Sequence, residues 1–263
     1  MLPPPHADLR MRRIVTLTTD FGSGSHYVAE MKGRLLHGPE ATLVDIDHDV
    51  PAHDLRAAAW LVAASCPAFP AGTLHIVVVD PGVGTTRRLV WVRSGGQEYL
   101  APDNGVLTLA IRRGGLAEAR AISIDDRAAA TFHGRDVLAP LAVRLLAGDA
   151  ADTIGARIES LETLAWPEPF VTAAGIRGEV VHVDAFGTLV TNLPATLWPR
   201  VLAAGGLRVG GERITRLVRT YGDAARDSLV ALVGSQGCIE AAVVEGRADH
   251  RLGVGRGAVV EAP

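Results

Sequence analysis

Apolar and polar positions follow two different regimes along this chain, and the change falls a little past its middle. Up to Leu146, short β-branched runs take turns with segments of helical period. Ile14–Thr19 (IVTLTT) reads as a strand, and a helical stretch follows over Tyr27–Leu36. Ala41–Ile46 reads as a second strand. His53–Ser65 has apolar residues at helical spacing, with Asp54 placed to favour the positive helix start. Thr73–Asp80 (TLHIVVVD) is nearly all apolar, as in a strand buried on both faces of a parallel sheet. The runs LVWV and EYLA come next. A helix near Val106–Arg112, a strand at Ala121–Ile124 and a helix at Arg135–Leu146 complete this part. Such alternation predicts an α/β layered domain with a central, mostly parallel sheet.

After Leu146 a loop-like stretch runs to about Pro169. Beyond it the runs GEVVHVD, TLVTNL, LRVGG, RITRLV, SLVALVG and GAVVEA are short and separated by turns. Short strands at this spacing predict a smaller antiparallel β domain. The expected division is an α/β domain over residues 12–166 and a β domain over 170–263.

Composition narrows the function classes. Of 263 residues 48% are hydrophobic, ample for a packed core. With 29 acidic against 26 basic residues the net charge is -3, which gives no field to hold a nucleic-acid backbone. No apolar run approaches the ~20 residues that cross a bilayer. The start, MLPPPHADLRMRR, has no apolar stretch after its prolines and does not read as a signal peptide; Met11 offers an alternative start. Cys66 and Cys238 lie far apart, in no metal or redox pattern and beside no base. A cytoplasmic protein is expected, without disulfide or membrane span. Lys32 is the one lysine, a bias spread along the whole chain and therefore best read as base composition.

The polar residues gather where the predicted strands end, the place where open α/β sheets bind ligands. The segments are Thr18–Gly24, Asp45–His48, Asp80–Arg87, Pro102–Gly105 and Thr131–Asp136. Most set an Asp beside a Gly, which lets backbone approach a ligand closely. Each has a plain structural alternative: Asp-Pro-Gly is a common turn, Asp20 could cap a helix, Arg87-Arg88 could be a solvated pair, and His133 could cap the helix after it. Five at successive strand ends point to a carboxylate-lined crevice. Neither GxGxxG, a Walker loop nor a GxSxG elbow occurs. Asp45, Asp47 and His48 are too close in sequence to face one metal ion from a strand.

The set TTDFG, DIDH, VVDPGVGTTR, APDNG, TFHGRD, DAFGTLVTN and GSQGCIE, in order from Ile14 to Ala248, resembles the adenosine-forming S-adenosyl-L-methionine hydrolases. These are also called SAM hydroxide adenosyltransferases and are relatives of fluorinase and chlorinase. The resemblance implies an N-terminal α/β domain, a C-terminal β domain and a homotrimer whose sites lie between the N-terminal domain of one subunit and the C-terminal domain of the next. It implies hydrolysis of S-adenosyl-L-methionine to adenosine and L-methionine with neither metal nor cofactor.

By motif, Asp80, Arg87 and His133 match the water-activating trio, and Asp20 the ribose-gripping carboxylate. Phe132 joins the substrate contacts. Asp184, Phe186, Ser235 and Gln236 match residues that close over the adenine and the amino-acid end, with backbone contacts near Val243 and Glu245. Three positions depart from the family pattern. Ser25 replaces an Asp that would meet the substrate ammonium. Thr188 replaces an Asn, which shifts adenine recognition to Asn192 or to backbone. Gln236 stands where relatives often carry Ser or Arg.

These residue types suit the reaction. Attack at C5′ of a sulfonium joins a negative nucleophile to a positive centre, and a dry, orienting site favours it. A cation ~4 Å away at an effective dielectric of ~20 is worth ~4 kcal/mol, or about three pK units, far too little to leave hydroxide free at neutral pH. A group is needed to take the proton as attack proceeds; His133 suits that role, with Asp80 orienting the water or sharing the proton. Halogenating relatives lack this trio, so halide-dependent adenosyl transfer is one alternative. A non-catalytic sensor of S-adenosyl-L-methionine or adenosine is another.

Overall fold

The computed structural model describes residues 13–263, so the N-terminal segment read above as lacking a signal peptide lies outside the described residues. Contacts divide the chain into two units, one ending at Leu164 and one running from Ala165 to Pro263.

The first unit holds β1 (Arg13–Thr19), α1 (His26–Leu35), β2 (Ala41–Asp47), α2 (Leu55–Ser65), β3 (Leu74–Val78), β4 (Leu89–Ser94), β5 (Gln97–Pro102), α3 (Thr108–Gly114), β6 (Leu116–Ile122) and α4 (Ala139–Leu146). Its sheet has the order β2-β1-β3-β5-β4-β6. The pairs β1–β2, β1–β3 and β3–β5 are parallel, whereas β4 pairs antiparallel with both β5 and β6. Alternation along the strands sorts two cores. Leu74, Ile76 and Val78 of β3 pack with Met31 and Leu35 of α1 and Leu141 and Leu145 of α4. Val77 and Val79 turn the other way, toward Ala58 and Val62 of α2 and Ala110 of α3. Cover on both faces buries all five positions of β3, including its one polar residue, His75.

Local chemistry sets the helix starts. Ser25 Oγ accepts from the Tyr27 amide at 3.2 Å and caps α1. Asp54 accepts from the Ala57 amide at 3.0 Å and caps α2, so that helix begins two residues later than its apolar spacing predicts. The single helix expected over Arg135–Leu146 is two pieces: a π-type turn over Gly134–Leu138, where the Ala139 amide bonds to the Gly134 carbonyl five residues back, and then α4. β6 starts five residues before the expected Ala121, because its pairing with β4, not its own hydrophobicity, holds it.

The second unit contains β7 (Phe170–Thr172), β8 (Gly175–Val183), β9 (Leu189–Pro194), α5 (Trp198–Ala203), β10 (Leu207–Val209), β11 (Glu212–Ile214), β12 (Leu229–Val233), β13 (Cys238–Val243), α6 (Ala248–Leu252) and β14 (Val259–Ala262). The strands run in the order β11-β10-β14-β8-β9-β13-β12, with β7 also on β8, and every pairing is antiparallel. Leu189, Leu193, Val201, Leu207, Ile239 and Val260 share its core. The short helices α5 and α6 interrupt what the pattern predicts as strands and turns alone.

Candidate active site

The chain leaves β1 toward β2 on one side and returns to β3 on the other, so the sheet order reverses between β1 and β3. Loops after two such parallel strands diverge and leave a crevice at their carboxyl ends. Asp20 follows β1 and Asp80 follows β3, one on each side of that crevice. A cavity of about 290 Å³ lies here, walled by Asp20, Phe21, Tyr27, Asp80, Phe132 and His133 among others.

The Asp80–Arg87 loop folds back on itself through successive turns. Val83 N–H donates to the Asp80 carbonyl at 3.2 Å, and Thr85 N–H to the Gly82 carbonyl at 3.1 Å. Gly84 has φ +77°, and a Cβ there would stand 2.9 Å from the Ala130 carbonyl, so glycine lets this loop meet the loop that carries His133. The fold-back brings Arg87 onto Asp80. Nε donates to both carboxylate oxygens at 2.9 Å, and Nη2 also bonds Oδ2. The same Nη2 lies 2.8 Å from Nδ1 of His133. The side chains of Arg87 and Asp80 are 9% and 7% exposed, so this ion pair is largely withdrawn from solvent. Among the described residues nothing pairs with Arg87 Nη1, which is buried.

A guanidinium only donates. Nδ1 of His133 must therefore present its lone pair to Arg87, and in the neutral ring the proton sits on Nε2. Burial lowers the His133 pKa, the Arg87 charge lowers it further, and Asp80 and Asp136 oppose them. In this geometry His133 offers a donor at Nε2, so the proton acceptor expected of it is not available at either nitrogen. Asp80, which lines the cavity, is the group in the trio with lone pairs to spare.

Surrounding contacts hold the pieces. Asp20 Oδ2 accepts from the His53 amide at 2.8 Å, and His53 takes φ +66° to deliver it. Asp20 thus caps no helix. The segment after His133 is tied to α1 by Arg135, which bonds Glu30 at 2.6 Å and Asp136 at 2.7 Å and stacks over Phe132 at 4.9 Å. Arg88 pairs with Asp103 while 42% of its side chain stays exposed, and His133 makes no capping bond. Asp45 is bonded to Lys32 at 2.6 Å and faces His48 Nε2 at 3.1 Å. Burial pushes the Cys66 thiol up to about 12, far from a reactive thiolate.

Within the second unit a cavity of about 960 Å³ collects Asp184, Phe186, Thr188, Val243 and Glu245 of the expected substrate contacts. Asp184 Oδ1 accepts from the amides of Phe186 and Thr188 at 2.9 and 2.8 Å and so shapes its own loop. Other expected contacts go elsewhere. Asn192 spends its amide on backbone: Oδ1 accepts from Glu179 N–H at 2.9 Å and Nδ2 donates to the Pro167 carbonyl at 3.1 Å. Ser25 is a helix cap outside both walls. Ser235 and Gln236 form the β12–β13 turn and line neither cavity. Sequence reasoning missed Tyr27 and His53 in the first wall and Tyr221 and Arg247 in the second. For Tyr221 a signal existed: Thr220 and Asp223 have the spacing of a reciprocal capping box, which the structure forms.

Comparison with known proteins gives a consistent result. The family model described as the SAM hydroxide adenosyltransferase N-terminal domain matches residues 15–155, and that of the C-terminal domain matches 178–261. The chain is 38% identical over 257 residues to the (R)-S-adenosyl-L-methionine hydrolase of Thermus thermophilus, covering 93% of this chain and 97% of that one. The crystal structure of a conserved protein from Thermotoga maritima superposes with a TM-score of 0.87 at 35% identity, covering 94% of this chain and 98% of that one. The fluorinase of Nocardia brasiliensis stands further off, 30% identical over 218 residues, or 70% of this chain and 72% of the other.

Proposed function

The chain belongs to the SAM hydroxide adenosyltransferase family, and from that premise we propose that it hydrolyses S-adenosyl-L-methionine to adenosine and L-methionine by in-line attack of water at C5′ of the ribose. The observation that carries this reading is the single guanidinium of Arg87 on both Asp80 and His133, beside a cavity that also presents Asp20.

One water accepts a hydrogen bond from His133 Nε2–H and donates one to Asp80. As its oxygen closes on C5′ the C5′–O bond forms and the C5′–S bond breaks. The electron pair leaves on sulfur as the neutral thioether of methionine, and the water's proton passes to the Asp80 carboxylate and then to solvent. Charge is cancelled in this step, so withdrawal from water favours it. Arg87 keeps the carboxylate and the imidazole in register, and Asp20 holds the ribose hydroxyls. In the homotrimer we propose, Asp184, Phe186, Val243 and Glu245 of a neighbouring subunit close over the nucleoside. No metal enters the scheme, and the cytoplasm is the compartment that suits it.

Incubation with S-adenosyl-L-methionine followed by chromatography tests the reading. Adenosine and methionine are expected in equal amounts, with and without prior dialysis against a chelator. Unchanged substrate, bound or free, overturns it in favour of a sensor. Similarity to fluorinase raises halide transfer as a second reaction. A buried carboxylate in the cavity wall repels a halide, so added fluoride or chloride should yield adenosine and no halogenated nucleoside. Light scattering should give three times the 27.6 kDa chain mass.

A further inference from the structure

Glu240 is a carboxyl in the middle of β13 with 7% of its surface exposed. Its neighbours Ile239 and Ala241 enter the main core of the second unit. Alternation turns Glu240 and Ala242 to the opposite face, where Ala242 packs with Val230, Leu232 and Val244. That face floors the larger cavity, since Ala242 and Val244 both line it. An apolar residue at position 240 would suit such a floor, and a buried carboxyl is costly there. Burial raises its pKa and the Asp184 charge adds to the rise, while a bond from Tyr221 opposes them.

The fold makes room for this group. A Cβ on Gly234 would fall 1.8 Å from Glu240 Oε1. The partner across the gap is Tyr221, whose hydroxyl donates to Glu240 Oε2 at 3.3 Å. Thr188 lines the same cavity. Tyr221 is held at its backbone too: Asp223 Oδ2 accepts from the Thr220 amide at 3.0 Å in the capping box that begins its turn. Tyr221 is 44% exposed and forms part of the cavity wall.

We propose that Glu240 is a positioning residue for nucleobase binding. Through the Tyr221 hydroxyl it fixes the phenol ring as a wall for a planar purine. This rests on the proposed function for the identity of the base.

The test is steady-state kinetics on S-adenosyl-L-methionine together with calorimetric titration of adenosine. Glu240→Leu and Tyr221→Phe should each raise KM and the adenosine Kd roughly tenfold with kcat within about twofold, the size expected for one lost hydrogen bond. Glu240→Gln keeps an acceptor for the hydroxyl and should restore wild-type KM. The double variant should be no worse than either single one, because both remove the same contact. Should Glu240→Leu not fold, Tyr221→Phe and Glu240→Gln carry the comparison. Wild-type KM and Kd in Tyr221→Phe, or additive losses in the double variant, overturn the proposal. So does a wild-type protein that binds no adenosine. A wild-type protein that binds adenosine but releases none from S-adenosyl-L-methionine sinks the proposed reaction alone, and the Kd values still decide the role of Glu240.

Discussion

Nη2 of Arg87 stands 2.8 Å from Nδ1 of His133, a donor facing a ring nitrogen that must accept. In the neutral ring the contact leaves the imidazole proton on Nε2. A second guanidinium nitrogen, Nε, holds both oxygens of Asp80, so one planar group serves two partners at fixed angles.

Lysine cannot reproduce that fork, because its ammonium is a point charge on a flexible stem. Arg87→Lys should keep the fold and lose about 100-fold in kcat, read as adenosine released per minute. Arg87→Ala should lose activity and also stability by about 3 kcal/mol, since it strands a buried carboxylate; urea unfolding checks the second part. Near-normal turnover in both variants would remove Arg87 from the mechanism.

The pH dependence follows from the same contact. The His133 pKa lies below 6.5, with burial the first cause and the Arg87 charge the second. The neutral ring therefore persists into mild acid, and protonation at Nδ1 sets donor against donor and breaks the Arg87 contact. Activity should fall as pH falls, with the midpoint of the acid limb of kcat/KM below 6.5. His133→Asn keeps an acceptor for Arg87 without a titrating ring, and its residual activity should lack that limb. A limb centred above 6.5 in the wild type contradicts the assignment.

His75 makes a stability prediction away from the site. It is the fully buried second residue of β3, bonded to Thr16 Oγ1 at 2.7 Å and stacked on Tyr99 at 5.1 Å. Burial lowers its pKa from 6.5 to about 4. Above 6.5 the ring is neutral in both folded and unfolded chains and contributes no slope. Between 6.5 and about 4 the unfolded chain takes up a proton that the folded chain refuses, so stability drops as pH drops. Going from pH 7 to pH 5 should cost about 2 kcal/mol in urea unfolding, and His75→Gln should flatten that slope.

Asn192 separates a structural role from a recognition role. Its amide bridges Glu179 and the Pro167 carbonyl. Asn192→Ala should lower stability by about 1–3 kcal/mol, the range for groups left unpaired, and leave KM for S-adenosyl-L-methionine unchanged. A raised KM at unchanged melting temperature would return Asn192 to the adenine contacts.

Much of this molecule was legible in its residues because the relevant information is local. The nearly all-apolar run of β3 implies cover on both faces, and Val28, Met31 and Leu35 mark the inner side of α1 at helical spacing. The family resemblance of its motifs named Asp80, Arg87 and His133 together, and Arg87 touches both of the others. Spacing could not show that β4 would run antiparallel, or that β6 would be drawn out by pairing with it, because strand direction and length depend on neighbours distant in sequence. Nor could it show where side chains go once packed. Asn192 sits in a motif yet turns to backbone, while Tyr221, in no motif recognised from the sequence, meets Glu240, the last residue of GSQGCIE, beside the larger cavity. Residue identity determined which groups are available for acid, base and charge. Tertiary packing alone decided that residues 87 and 133 touch, and hydrogen-bond direction at that contact then left His133 a donor toward the cavity.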